Sequence, residues 1–596
     1  MHNRDQSTVR AIVVCAGLLV ALGFVITVPV TSSPSAGQPA PTLVPPTLVP
    51  TPEQAMLDVL PSESAVARIQ RDGVVRVGVL YTAPPFGDFN ARGEPSGFDP
   101  DLARAFAEVW GVEVEFVQAT RQTGIDLVTS GAIDLLIAAQ PHLREYDPYV
   151  EFSHTYYPAN QVIAVRQGDG ATALGHMAER VVGVVMGTRG ELAVDDWLSR
   201  VDYPVNVRRY FTLDSALAAL HTADDGLRLD GVIASRVRLE RAINPAEVRF
   251  VAEPVMLEPY AIALPRQDVN LRNLVNRTLQ YLLRSGRLDE IHRDHFENAA
   301  YPRGVLIPWL NVGDDPPQID QVAADMPFPQ QYTVPRLQTA GRLRVAGVRE
   351  LPPDAPESAQ RADALNRALI NELARRWNVT VEFVPDSGDD AFEFVAQGQA
   401  DLAVGVQPNW AFTDRVDFTS PYLIHGIRLM IRADDNINGW GDLRGATIGI
   451  FATEPGVSAI IRQQADAANA IIDDIFTLTN EADAAFAMLN DGTAEILLGA
   501  VLGDSLKLAI HIERNPDALT LLTNSGSPIW YTRNYVALAT PRNDLDFRLL
   551  VEYTLQEIVR DGTMQALLAP VMLPSDLPQF DVWPGSGTYL GFDLRR

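Results

Sequence analysis

Lysine is almost missing from this chain: Lys507 is the only one, and the other cationic side chains are arginines, a compositional bias from which no site chemistry follows. Cysteine is as scarce, since Cys15 stands alone inside an apolar N-terminal run, which excludes an intrachain disulfide and leaves the redox compartment unread. Positive charge is short overall, with 48 Lys and Arg against 75 Asp and Glu and a formal net charge of −27. Binding along a phosphate backbone needs a basic stripe, and no segment supplies one, so nucleic acid is excluded as a partner. The nine histidines are scattered. Long uncharged apolar stretches are limited to one, residues 11–30.

That stretch matches the ~20 residues needed to cross a hydrocarbon core and exceeds the roughly 7–15 of a signal-peptide core. Arg4 and Arg10 precede it and no charge follows until Glu53, which puts residues 1–10 in the cytoplasm and the remainder outside. The expectation is a single-pass anchor in the cell membrane, with secretion after signal cleavage as the alternative. Cys15 sits near the start of the run rather than at its end, so it reads as a membrane-helix cysteine and not a lipidation site. Residues 31–61 are rich in proline, serine and threonine and form an extended spacer.

Beyond the spacer the chain repeats itself. Gly131-Ala132-Ile133-Asp134-Leu135 recurs as Gly398-Gln399-Ala400-Asp401-Leu402, and Val150-Glu151-Phe152-Ser153 recurs as Val416-Asp417-Phe418-Thr419. The offset, 267 and then 266 residues, widens to 276 where Arg284-Ser285-Gly286 meets Arg560-Asp561-Gly562, as a short insertion in the second copy requires. A period of this length is a whole domain rather than a solenoid repeat. Residues 62–300 and 336–575 are therefore expected to be two domains, with 301–335 between them and 576–596 as a tail.

Within copy one, residues 74–79 alternate β-branched and polar side chains as a strand. Residues 99–109 come next as an amphipathic helix, 112–117 as a second strand, 125–129 as a short helix and 134–138 as a buried strand. Strands alternating with helices indicate an α/β fold. No Ser/His/Asp order, metal-ligand spacing or phosphate loop recurs in both copies, so no catalytic residue, metal or cofactor is expected.

Gly97-Phe98-Asp99-Pro100-Asp101-Leu102-Ala103, Ser130-Gly131-Ala132-Ile133-Asp134, Phe152-Ser153 and Val182-Gly183-Val184-Val185-Met186-Gly187-Thr188 resemble the extracellular solute-binding proteins of family 3, the type 2 periplasmic binding proteins of polar amino-acid uptake. Copy two keeps the strand and Asp-Phe-Thr motifs but carries Ala364-Leu365-Asn366 in place of Gly-Phe-Asp. The resemblance implies two tandem type 2 periplasmic-binding-protein domains after an N-terminal membrane helix, each of two α/β lobes with a hinge. The crossing strands are expected at 162–166 with 260–264, and at 429–432 with 535–539.

The resemblance also implies a capture chemistry: an arginine fork for a carboxylate, an acid for an ammonium group, and aromatic rings around the rest. The family's arginine position falls on Tyr146 in copy one, with Arg144 two residues earlier as its substitute or as a plain loop charge. In copy two it falls on Phe412 or Thr413, with Trp410 and Arg415 nearby. The acid position holds Ser235 in copy one and Ala500 in copy two, with Asp504 beyond, so an ordinary α-amino acid is not to be assumed. Further candidates in copy one are Tyr81 and Phe86 from the first loop, Gln140 after the buried strand, and Thr188 with Arg189 at a helix N-terminus, where free N–H groups favour anions. Copy two offers Thr453 and Glu454 at the matching turn, with Trp530 and Tyr531 near expected cleft loops.

The resulting expectation is extracytoplasmic binding of a small polar solute, amino-acid-like or an organic acid, by hinged lobe closure and delivery to an ABC transporter permease. Copy one is the better candidate for capture. The alternatives are a sensor or scaffold that signals to a separate membrane partner, and a dehydratase-like enzyme on the same fold.

Overall fold

A computed structural model describes residues 63–297, 301–302, 309–311, 313, 315–385, 390–454, 456–489, 496–524, 526–582 and 588–591. The alternating stretch at the start of copy one forms the strand Val74–Leu80, and the amphipathic stretch after it forms the helix Phe98–Trp110. The repeated Asp motif proves to be structural in both copies. Asp134 is buried, accepts the Arg76 N–H at 2.7 Å and pairs with Arg68 and Arg76; Asp401 accepts the Arg344 N–H at 2.7 Å and pairs with Arg336 and Arg344. A buried carboxylate needs such partners, and they tie each copy's opening strand to its neighbour.

Copy one is built on a mixed sheet in the order Glu113–Ala119, Val74–Leu80, Leu135–Leu136, Met256–Pro265, Val150–Arg166, Gly231–Ser235, Val181–Val185, Asn206–Tyr210. The 17-residue strand Val150–Arg166 runs through both lobes, antiparallel to Met256–Pro265. Register shifts at Tyr260 and Ala261 mark where the ladder turns from one lobe to the other. Residues 162–166, expected to cross, instead pair with Gly231–Ser235 and Val248–Phe250 inside the second lobe. The crossing belongs to the residues just before them.

Copy two divides the same plan into two sheets. Its first lobe orders Thr380–Phe383, Arg342–Ala346, Leu402–Val406, Asn534–Pro541 and Val416–Phe418; its second orders Asp474–Leu478, Thr447–Phe451, Ala500–Asp504, Ile427–Arg432 and Leu519–Leu521. Leu423–His425 crosses against Asn534–Pro541, so 429–432 is again one element too far along. The residues at the two boundaries, 153–161 and 419–426, mix polar, aromatic and proline side chains without a strand period, and the apolar stretches just beyond them drew both expectations one step too far along the chain.

The first helix differs between copies. Phe98–Trp110 has 13 residues and starts at Gly97, whose φ of 126° brings it so close to Phe86 that a Cβ would lie 2.5 Å from the Phe86 carbonyl oxygen. Its counterpart Glu357–Trp377 has 21 residues, so Ala364 sits inside a helix and needs no such backbone. Described parts of 301–335 touch both copies: Gln318 donates to the Val109 carbonyl at 2.8 Å, and Trp309 lies 4.5 Å from Trp410, ring to ring. The membrane segment expected at 11–30 lies outside the described residues. Among those, no helix is long and apolar enough to cross a membrane.

Candidate ligand-binding clefts

In open α/β sheets a crevice forms beyond the carboxyl ends of the strands. At that edge in copy one, Arg189 opens the helix Arg189–Arg200 and its guanidinium pairs with Glu258 on the crossing strand. Glu258 is buried and also accepts from the Gln161 side-chain amide at 2.7 Å, so one cation and one amide hold a carboxylate in the hinge. Thr188 caps nothing with its side chain and donates to the Val185 carbonyl at 2.6 Å. Tyr146 is half-buried; burial and Glu145 push its hydroxyl pKa up while the Arg189 and Arg121 charges oppose them. Arg121 stands in the loop after Glu113–Ala119, and its charge opposes the burial that raises the Tyr260 hydroxyl. Its place after a strand end was the available signal, and sequence reasoning passed over it.

Other copy-one candidates lie elsewhere. Phe86 is buried in an aromatic cluster, 5.0 Å from Tyr157 and 5.3 Å from Tyr260 between ring centres, and so serves the core. Tyr81 is half-buried and packs on Phe89 at 4.5 Å. Gln140 is buried and donates to the Pro141 carbonyl at 3.1 Å. Ser235 precedes the helix Arg236–Ala242 without capping it through its side chain. Arg144 does not reach into the cleft: its guanidinium lies 3.9 Å from the centre of the Tyr553 ring and donates to Gln556 at 3.0 Å, both in copy two. Trp410 is likewise at the seam between copies, buried and donating to Gln280 of copy one at 2.6 Å.

Copy two holds a cavity of about 770 Å³ at the carboxyl ends of Arg342–Ala346 and Leu402–Val406. Its wall includes the extra turns of the long helix, through Ala359, Ala362 and Asp363, and Asn366 just after them. Arg415 lines it, 5.1 and 5.2 Å from the Phe392 and Phe412 ring centres, and pairs with Glu393. Asp363 accepts from the Arg349 N–H at 2.9 Å and from the Arg367 side chain at 2.7 Å. The lining thus carries both signs of charge on separate elements.

In the second lobe of copy two, Glu454, Thr453 and Lys507 form a cluster of their own. The Lys507 ammonium donates to Thr453 at 2.6 Å and pairs with Glu454 at 2.9 Å and Glu481 at 3.3 Å. Burial pushes the Glu454 carboxyl up, and Lys507 pulls it back. Asp504 caps the helix Ser505–Arg514 and pairs with His425, at the end of the crossing strand, at 2.6 Å, so it is already engaged. Trp530 lies under Arg428 and Tyr531 accepts from Trp440, both as packing. Ser358 donates to Glu481 at 2.8 Å and Arg361 pairs with Glu513 at 2.7 Å, which ties the long helix to the second lobe.

The family model of the bacterial extracellular solute-binding proteins, family 3, matches residues 75–298 and again 347–572. The chain belongs to this family. Among its relatives, the ABC transporter glutamine-binding protein GlnH of Bacillus subtilis (strain 168) is 25% identical over 236 residues, covering 39% of this chain and 84% of that protein. A probable histidine-binding protein of Neisseria gonorrhoeae is 25% identical over 228 residues, covering 37% and 83%. Among solved structures, an ancestral cationic amino acid solute binding protein is 27% identical and covers 39% of this chain and all of its own, with a TM-score of 0.34. The B. pertussis BvgS periplasmic domain is 17% identical and covers 88% and 95%, with a TM-score of 0.32.

Proposed function

We propose that this family member captures a small polar zwitterion in the copy-two cavity by closing its lobes, and yields it to a separate ABC transporter permease. The cavity carries the reading: about 770 Å³ falls within the roughly 300–1,000 Å³ of small-molecule sites, and it presents Arg415 and Asp363 from separate elements. A guanidinium fork binds a carboxylate bidentately, and an acid across the cavity meets an ammonium group. Arg415 would exchange Glu393 for the ligand. The Arg189, Arg121 and Tyr146 group is the corresponding site in copy one. Capture without turnover is the activity, with residues 11–30 holding the chain at the outer membrane face.

Thermal unfolding of the full chain against single amino acids, organic acids and small peptides tests this. A ligand that binds the folded state raises Tm with concentration as RT ln(1 + [L]/Kd). Arg415→Ala is expected to weaken that ligand at least about tenfold, or about 1.4 kcal/mol, with the unliganded Tm little changed. No stabilising compound, or undiminished binding by the variant, would refute the assignment.

A further inference from the structure

The two copies meet through the same face of each. The strand start at 150–153 corresponds to 416–419, and the helix Val269–Arg284 to Leu545–Arg560. Across the contact, the Gln267 side chain donates to the Asn543 carbonyl at 3.2 Å, while the Asn543 side chain donates to the Gln267 carbonyl at 2.8 Å. One residue earlier in each copy, Arg266 pairs with Asp546 and Arg542 donates to Asn270 at 2.6 Å. These are equivalent positions with the copies exchanged.

The exchange continues along both helices. Trp410 donates to Gln280 at 2.6 Å, and its equivalent Arg144 donates to Gln556 at 3.0 Å. Arg144 lies over the Tyr553 ring at 3.9 Å, while Arg277, equivalent to Tyr553, lies over Trp410 at 5.7 Å. Cation and ring have traded places but the pairing persists. At the centre, Arg272 bridges Glu151 at 2.6 Å and Asp417 at 2.5 Å, and Arg548 reaches Glu151 at 2.6 Å. Each copy contributes one arginine and one acid to this quartet, in which Glu151, Arg272 and Asp417 are buried and Arg548 is partly so.

Contacts in which i meets j and j meets i are the mark of a twofold, self-complementary interface. We propose that each copy is the other's dimer-type partner: this face fits a second domain of the same build, and it holds the pair together without the covalent connection. Two cations and two anions from two copies neutralise one another, whereas one copy alone would present an arginine–acid pair shaped to receive its equal. Breaking a buried pair leaves an uncompensated charge, so the surface rejects partners without that pattern.

The test uses the full chain with a protease site placed between Pro302 and Trp309, cleaved after folding and measured at about 1 µM by gel filtration and native mass spectrometry. The two fragments are expected to stay together as a one-to-one complex. Residues 309–335 remain with copy two and touch copy one, so Glu151→Arg is the discriminating variant: it should weaken association at least a hundredfold, and Glu151→Arg with Arg548→Glu should restore it. Separation of the cleaved wild-type halves, or full association of the Glu151→Arg variant, overturns the proposal. Should Glu151→Arg fail to fold, Arg144→Ala and Trp410→Ala replace it: each should speed dissociation several-fold, and unchanged dissociation in both overturns the proposal equally.

Discussion

Asp99 and Asn366 occupy equivalent places and show what one atom changes. Asp99 accepts from the Ala139 N–H at 2.7 Å and the Tyr156 hydroxyl at 2.9 Å; Asn366 accepts from the Tyr422 hydroxyl at 2.6 Å. Burial raises the Asp99 carboxyl from 3.8 to about 7, with Tyr156 and Ala139 opposing it. A carboxyl raised on folding binds its proton more tightly in the folded state, so its stabilising contribution is full below the unfolded value and is lost as pH rises towards 7. Asp99→Asn, which copies the second domain, removes that loss. Urea unfolding should show the variant gaining on wild type by about 2–4 kcal/mol between pH 4 and pH 8, three pKa units being about 4 kcal/mol at most. A pH-independent difference would sink the argument. Nothing in the sequence marks Asp99 as buried or Arg144 as a seam residue, because a short polar motif looks the same in a cleft, a core or an interface.

At the scale of elements, the two opening helices separate what was legible from what was not. Alternation at 74–79 and helical spacing at 99–109 located a strand and a helix within a residue or two, because one face of each is apolar. The loss of Gly-Phe-Asp in copy two was visible, but its cause was not: eight more residues of helix relieve position 364 of any special backbone and build part of the cavity wall. The sequence preference for copy one drew on this motif, whose replacement in copy two goes with a longer helix that lines a cavity. Gly97→Ala should cost about 2–3 kcal/mol, since a left-handed φ and the Phe86 carbonyl both oppose a Cβ. Ala364→Gly should cost only about 1 kcal/mol, the ordinary penalty of glycine inside a helix. Equal losses in chemical unfolding would show that the two positions are not so different.

For the whole molecule, the duplication could be read directly and the joining of its halves could not. The seam is made of Glu151, Asp417, Gln267, Arg272 and their equivalents, types that read as solvated surface until the opposing copy is in place. Burial pushes the Asp417 carboxyl up, yet Arg272 and Arg548 hold it below its usual range, so the quartet's charges depend on one another across the copies. Copies coupled in this way should unfold together. Calorimetry of the full chain is expected to give one transition whose van't Hoff and calorimetric enthalpies agree. Arg272→Met strands Glu151 and Asp417 with only Arg548 to share, a loss of the order of 3–5 kcal/mol for a buried pair. The single transition should then split in two, copy one melting below copy two, because Arg272 belongs to the helix Val269–Arg284 of copy one's own core. Two transitions already present in wild type would mean that the halves are stable apart and that the seam contributes little to either.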